Sequence, residues 1–403
     1  MPLADSLRDR LADLDRRHLR RSLQPVEPSV GPRLVIDGRS LLSFASNDYL
    51  GLARHPRLQA AALDATRRFG AGSTASRLIC GSLAPHHHLE DALAAFKQSE
   101  SALAFSSGYA TALGVVPALV GPGDCVVLDR LAHACLVDAA RLSGARLRVF
   151  RHNDPDDLRR ILQWTRSLPP APGGRPAQVL ILTESVFSMD GDVAPLPDLV
   201  GIKDEFDAWL LLDEAHATGT AGPGLRGWAD ALGLSHRIDI PMGTLGKALG
   251  AAGGYVAGPA ILREYLVSRA RSLLFSTAPP PAAAAAATAA LEIVASTEGP
   301  RLAACLTRCI DALHAGLAAD GWTLPPPRTP ILPLTVGDEA GAVRLSRALR
   351  EEGCLVPAIR YPTVARGQAR LRLTAGALHG PEEVATLLAA LRRALDRTGI
   401  RPR

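Results

Sequence analysis

Two stretches hold the residues whose types and spacing suggest chemistry: WLLLDEAHATGT from Trp209 and TLGKALGAAGGYVAG from Thr244. In the first, the apolar run Trp209–Leu212 reads as a buried strand closed by an acid, Asp213, with His216 three residues on. In the second, Lys247 sits between Gly246 and Gly250. Apolar, glycine-rich surroundings disfavour an ammonium and lower a lysine's pKa, which is the condition for an amine that forms a Schiff base. Other readings fit less well. A phosphate-binding GxxxxGK[ST] loop fails because Pro241 replaces the first glycine and Ala248 the hydroxyl residue. Gly222, Gly224 and Gly227 match GxGxxG but do not sit at a strand-to-helix turn. Asp213 and His216 lack a third metal ligand of matching spacing, so no metal is predicted. An ordinary loop lysine beside a core aspartate stays open at this point.

A Schiff-base lysine with an aspartate partner is the arrangement that pyridoxal 5′-phosphate (PLP) needs. The lysine holds the aldehyde, and the aspartate keeps the pyridine nitrogen protonated so that the ring accepts electrons. A phosphate needs donors, and Gly108 and Tyr109 open a helical pattern whose backbone amides supply them. Thr244, Ser276 and Thr277 add hydroxyls. His133 is placed to stack on the ring or to cap a helix, and His216 to donate to the ring hydroxyl.

From about residue 86 to 257, apolar runs alternate with helical patterns. Candidate strands are 102–105, 125–128, 147–150, 179–183, 209–212 and 254–257. That alternation predicts an α/β fold with a mainly parallel sheet covered on both faces. Ligands of such sheets bind beyond the carboxyl ends of the strands. Gly108, Tyr109, His133, Glu184, Ser188, Asp213, His216 and Lys247 all follow strand ends, so one rule gathers every candidate into one crevice.

Around this core, Leu3, Leu7, Leu11 and Leu14 predict an amphipathic helix over 3–22. Residues 33–44 read as two strands across an Asp37-Gly38 turn. The small-residue run 69–81 reads as a flexible or ligand-facing loop. The alanine-rich 279–294 predicts a helix leading out of the large domain. Beyond it come strands at 332–336, 356–360 and 369–374, with helices between and after. The expected organisation is an N-terminal segment 1–50, a large domain 51–290 and a smaller α+β domain 291–403. The triplet His86-His87-His88 heads a helical pattern whose positions diverge by about 100° each, so it is read as structural.

The 403 residues suffice for a large core, and 47% hydrophobic with 21% charged content is ordinary for a globular chain. A net charge of +5 suits an anionic small substrate better than nucleic acid. No run of about 20 uninterrupted apolar residues predicts a membrane span. The first 21 residues lack a signal-peptide core. Six cysteines without a CxxC pair read as free thiols, and the expected compartment is the cytoplasm.

SNDYLGL, SSGYAT, RLAHACLVDA, HND, ESVFSMDGD, LLLDEAHATG, GTLGKALGAAGG, FSTAPPP and AIRYPTVARGQARLRLT occur in that order over about residues 40–380. Together they resemble the α-oxoamine synthases, PLP-dependent transferases of fold type I. The resemblance implies a large PLP domain with a mainly parallel sheet, a smaller C-terminal domain and a homodimer. It implies that Lys247 carries PLP, that Asp213 pairs with the pyridine nitrogen, that His133 stacks on the ring and that His216 bonds the ring oxygen. Gly108, Tyr109, Ser188 and Thr244 would contact the cofactor, and Ser276 and Thr277 the neighbouring subunit's phosphate. Asn47 would lie near the substrate, Arg372 would grip the amino-acid carboxylate, and Arg20 and Thr363 would contact the acyl substrate. The implied reaction is a decarboxylative condensation of an amino acid with an acyl thioester. The motifs favour the biotin-pathway branch, which uses L-alanine and a pimeloyl thioester, over branches that use glycine with acetyl-CoA. A PLP-binding protein without turnover is the alternative of another class. GAGSTASR at 70–77 departs from relatives, which carry more glycine there.

Overall fold

The structure is a computed structural model that describes residues 2–326 and 328–402. The chain divides into two compact units. One comprises Met1–Asn47, Met189–Gly191 and Ala304–Arg403; the other comprises Asp48–Ser188 and Asp192–Ala303.

The second unit is built on a seven-stranded sheet, counted among the described residues. Its order is Ser101–Phe105, Gly254–Gly258, Ile240–Thr244, Trp209–Asp213, Val179–Glu184, Cys125–Asp129 and Arg146–Phe150. Alternate side chains enter two cores. Leu103, Val126, Leu128, Leu180 and Leu211 pack with Val115, Val116 and Leu136 on one face. Val127, Ile181, Leu210 and Leu212 pack with Leu158, Leu162 and Leu199 on the other. Burial on both faces is what makes these strands read as continuous apolar runs.

Six strands run in one direction, but Gly254–Gly258 runs antiparallel to both of its neighbours. The strand Ile240–Thr244 was missed in the sequence, because Pro241 and Gly243 disguise it. At Gly243 a side chain would collide with the Tyr255 ring on the next strand, so the glycine marks a close approach.

Pro281–Ala295 is helical as predicted, but it does not leave this unit. Its alanines let it lie closely against the helices Pro56–Phe69 and Ala84–Lys97. The run 69–81 is irregular but held, not loose. Ser76 bridges to Thr277, Ala278 N donates to Ala75 O, and the Ser73 hydroxyl donates to Pro279 O. Arg77 makes a buried two-pronged ion pair with Glu90. His86 of the triplet caps its own helix through Nδ1 and reaches Pro279 O through Nε2, a structural role.

In the first unit, Arg33–Ile36 and Arg39–Ser43 form the expected hairpin. Asp37 and Gly38 both take positive φ, 52° and 72°, the twist that suits a two-residue turn. Of the predicted strand 356–360 only Ala358–Ile359 is strand, and a separate two-residue strand, Cys354–Leu355, precedes it. Cys354–Leu355 pairs with the Arg39–Ser43 strand, and Ala358–Ile359 with Ala369–Thr374. The N-terminal helix stops at Arg16 and buries no residue. Among the described residues, one helix, Glu298–Ala319, is long and apolar enough to cross a membrane by length and composition. Its buried residues Leu306, Ile310, Leu313 and Leu317 recur at helical spacing, the pattern of a core-facing stripe.

Candidate active site

The site of the second unit grows from the carboxyl ends of its strands. Asp213 and Glu184 close adjacent parallel strands and stand side by side in register. Thr244 closes the next strand, opposite Gly254 at the start of the antiparallel one. Gly254 also pairs with Phe105, two residues before Ser107, whose hydroxyl caps the helix Gly108–Leu119 by accepting from Ala110 N at 3.0 Å. A side chain at 254 would strike the backbone of Ser107 and Gly108, so only glycine lets this helix begin beside Thr244.

Lys247 stands in the loop between the two antiparallel strands. Its Nζ lies 2.7 Å from His216 Nε2, and His216 Nδ1 lies 2.5 Å from the Tyr49 hydroxyl. Tyr49 and His216 are buried, Lys247 half-buried. The sequence reading did not single out Tyr49; the SNDYLGL motif that contains it was the available signal. On the far side of the DEAH turn, buried Lys97 pairs with Glu214 at 2.5 Å, and Ala229 N donates to the same carboxylate at 3.0 Å. That pair fixes the segment between Asp213 and His216 from behind.

Asp213 is buried and accepts from Ala215 N at 2.9 Å. Burial raises its pKa above the usual carboxylate range, opposed by Lys247, the Ala215 N–H and His133. Glu184 is pushed well above its usual range, first by burial and then by the Asp213 charge, which favours a neutral acid. The backbone N–H groups of His133 and Ser188 approach its carboxyl, yet Oε1 has no partner among the described residues. His133 caps the helix Ala134–Leu142 through Nδ1, accepting from Cys135 N at 3.2 Å. The His133 imidazole lies within electrostatic reach of Asp213 and Lys247, and burial lowers its pKa, favouring the uncharged ring.

Second-unit candidates thus gather as one group: Lys247, His216, Asp213, His133, Ser188, Thr244, Gly108 and Tyr109. Tyr109 is exposed and its hydroxyl donates to Asp138. Ser276 and Thr277 are different. Both are exposed, and among the described residues neither hydrogen-bonds a member of that group.

In the first unit, Arg372 is buried in the strand Ala369–Thr374 and donates to Asn47 Oδ1 and Thr374 Oγ1, each at 3.1 Å. Both of these acceptors are neutral, whereas neighbouring Arg370 is ion-paired with Asp190. Arg20 pairs with Asp15 at 2.7 Å, and it is Arg21 that reaches the Thr363 hydroxyl, at 3.2 Å.

The donor set fits PLP. A helix N-terminus with the Thr244 hydroxyl beside it suits a dianionic phosphate. A buried carboxyl with a raised pKa gains by facing a pyridinium N–H. A lysine joined to an imidazole suits an aldehyde with a neighbouring ring oxygen.

Comparison with known proteins agrees. Residues 39–391 match the model of the aminotransferase class I and II family, and the chain belongs to that family. Its architecture is that of PLP-dependent transferases of fold type I, with PLP as cofactor. It is 49% identical over 381 residues to the 8-amino-7-oxononanoate synthase of Anaeromyxobacter dehalogenans (strain 2CP-1 / ATCC BAA-258), covering 94% of this chain and 93% of that protein. A serine palmitoyltransferase from S. paucimobilis, solved with bound PLP, superposes with a TM-score of 0.91 at 30% identity, covering 98% of both chains. An 8-amino-7-oxononanoate synthase from Francisella tularensis superposes at 0.75 and 27% identity, covering 89% of this chain and 99% of that one.

Proposed function

We infer that the chain is a C-acyltransferase that condenses L-alanine with a pimeloyl thioester to 8-amino-7-oxononanoate, releasing CoA or carrier protein and carbon dioxide, in biotin biosynthesis. The observation that carries this is the Lys247–His216–Tyr49 chain beside Asp213 at the strand ends, in a chain that matches 8-amino-7-oxononanoate synthases over almost its whole length.

Lys247 would hold the cofactor through Nζ, Asp213 would serve the pyridine nitrogen, His133 the ring and His216 Nε2 the ring oxygen. Gly108 and Tyr109, with Thr244 and Ser188, would hold the phosphate end and rim. When bound, PLP supplies an electron sink that stabilises negative charge at the α-carbon of the amino acid. Lys247 Nζ takes the α-proton, a task that needs an amine poised near neutral pH. Arg372, held by Asn47, takes the substrate carboxylate in a bidentate pair. Arg20 and Thr363 are assigned to the acyl thioester.

We assign Ser276 and Thr277 to a partner subunit's phosphate, which makes the working form a homodimer. Leu78, Ile79 and Phe275, exposed by 53%, 79% and 73% on the segments joined at Ser76 and Thr277, supply an apolar face for it. The functional division is taken as 1–50, 51–290 and 291–403. Six free cysteines support a cytoplasmic setting, and no nucleic-acid or membrane partner is assigned.

The test is CoA release by PLP-loaded protein with L-alanine, glycine and L-serine, each against pimeloyl-, acetyl-, succinyl- and palmitoyl-CoA. Preference for alanine with pimeloyl-CoA supports the reading. Glycine with acetyl-CoA moves the chain to a sibling reaction. Silence across the grid and with a pimeloyl-carrier protein refutes catalysis.

A further inference from the structure

The roles assigned above use Nε2 of His216, but an imidazole has two nitrogens. The other is held by Tyr49. The tyrosine is fully buried, and its hydroxyl sits 2.5 Å from Nδ1. The ring centroids are 6.0 Å apart and tilted by 57°, so the contact is hydroxyl to nitrogen, not ring on ring. With Lys247 Nζ 2.7 Å from Nε2, the three groups form one chain: phenol, imidazole, amine.

Two devices hold the phenol in place. Asp48 folds the turn around itself: its carboxylate accepts from Leu52 N at 2.9 Å and Ala53 N at 3.1 Å, and its carbonyl accepts from Gly51 N at 3.0 Å. Gly250, with φ of +62°, seats the Lys247 loop on that same turn, because a side chain there would fall on the backbone of Leu52 and Ala53. The loop that carries the lysine and the turn that carries the tyrosine are therefore packed backbone to backbone.

A neutral imidazole carries one proton, and the partner of one nitrogen decides what the other can do. An ammonium at Lys247 can only donate, so it needs a lone pair on Nε2 and leaves the proton on Nδ1. An anionic ring oxygen needs the reverse, a proton on Nε2. A hydroxyl both donates and accepts, so Tyr49 satisfies Nδ1 in either state by rotating one O–H bond. Phenylalanine would satisfy neither state, and a carboxylate would accept in both and favour the imidazolium.

We propose that Tyr49 is a positioning residue of this site, whose hydroxyl aligns His216 with Lys247 and lets Nε2 serve as acceptor toward the lysine or donor toward the ring oxygen of the cofactor. This rests on the assignment of His216 given above. The alignment comes from the turn and the tautomer freedom from the hydroxyl, so the two are separable by substitution.

The experiment compares holoenzymes of wild type, Tyr49→Phe, His216→Phe, the double variant and Tyr255→Phe. Tyr255 is a buried tyrosine of the same unit whose hydroxyl meets Thr218 at 2.9 Å, not His216, and serves as the control. The readouts are the PLP dissociation constant, the visible absorption spectrum of bound PLP, kcat and KM for L-alanine, and the melting temperatures of the holoenzyme and of the PLP-free protein. Losing one buried hydrogen bond predicts about a tenfold weaker PLP affinity in Tyr49→Phe. It also predicts an altered visible band ratio and a kcat down about tenfold with KM within roughly twofold. Tyr255→Phe keeps the wild-type spectrum and affinity, and Tyr49→Phe adds nothing on the His216→Phe background. A wild-type spectrum and affinity in Tyr49→Phe, when His216→Phe changes both, overturns the role of Tyr49. No change in His216→Phe overturns the assignment of His216 itself. Additive effects in the double variant, or a melting temperature of the PLP-free protein that falls as far as that of the holoenzyme, would make Tyr49 merely structural. If Tyr49→Phe does not fold, Tyr49→His, which keeps a group able to donate or accept, must restore the spectrum for the proposal to stand.

Discussion

Replacing His152 with glutamine should cost stability in a way that depends on pH. The imidazole lies between two carboxylates: Nδ1 is 2.9 Å from Asp129 Oδ1, and Nε2 is 2.7 Å from Asp192 Oδ2. Its edge meets the Phe187 ring at 4.4 Å. Burial alone would lower its pKa, but the two carboxylates more than reverse this and raise it to about 10. Moving a histidine from its ordinary 6.5 to about 10 corresponds to roughly 5 kcal/mol at 1.36 kcal/mol per pKa unit. Solvent still reaches His152 and Asp192, each with 22% of its side chain exposed, so screening reduces this to about 2–3 kcal/mol.

A raised pKa in the folded state sets the sign. The stabilisation is present in full below pH 6.5 and is lost as pH rises through about 10. The His152→Gln variant has no such proton to lose. Thermal melts of both holoenzymes from pH 6 to 10.5 should therefore differ by roughly 5–10 °C near neutrality, using about 2–4 °C per kcal/mol for a unit of this size. The gap should narrow toward pH 10.5. Parallel melting curves across that range would refute the doubly paired imidazolium. The cluster also reaches the site: Asp129 holds Leu131 N at 2.8 Å on the way to His133, while Asn153 binds Asp192 and the Val193 carbonyl at 2.9 and 3.0 Å below Ser188.

Lys247→Ala should abolish CoA release while still binding PLP non-covalently; near-wild-type turnover would remove Lys247 from its role. Asp213→Asn should slow exchange of the alanine α-proton by about 100-fold or more, the scale of one lost electrostatic group, with a smaller change in PLP retention. An unchanged exchange rate, followed by deuterium uptake, would contradict the pairing with the pyridine nitrogen. Gly250→Ala should destabilise the protein by about 2 kcal/mol or more, since it adds positive-φ strain to a clash with the turn before Ala53. Unaltered urea unfolding would show that the two loops are not seated on one another.

What the sequence disclosed depended on whether the signal was local. Asp213 and Lys247 were legible because an acid closing an apolar run and a lysine among glycines each mark their setting within a few residues. The strands of the seven-stranded sheet were legible for the same reason, except Ile240–Thr244, whose Pro241 and Gly243 answer to neighbouring strands. Tyr49 and His152 were not legible. Their partners lie 167, 23 and 40 residues away, and neither residue type announces such a partner. The loop 69–81 looked loose because its small residues carry no apolar pattern, yet its bonds run to the segment at 277–279.

The least legible feature is also the one that places the lysine. A wholly parallel sheet would return the chain from Thr244 through a crossover of a dozen residues or more. Here the next strand runs antiparallel, so nine residues, 245–253, close a hairpin over the carboxyl edge. Its bonds are short-range: Leu245 N to Gly253 O, Ala251 N to Leu245 O and Gly250 N to Lys247 O, each 2.9 Å. Thr244 Oγ1 adds a bond to Gly253 O at 3.0 Å. Glycines at 246, 250 and 253 belong to that closure, and 250 and 253 take the positive φ it requires. One reversed strand thus holds Lys247 directly above the end of the sheet where Asp213 and Glu184 terminate, and the same reversal brings Gly254 against the helix that begins at Gly108. The amine, the acid and the N-terminus of the helix that begins at Gly108 converge because of that single change of direction, not because each was placed separately.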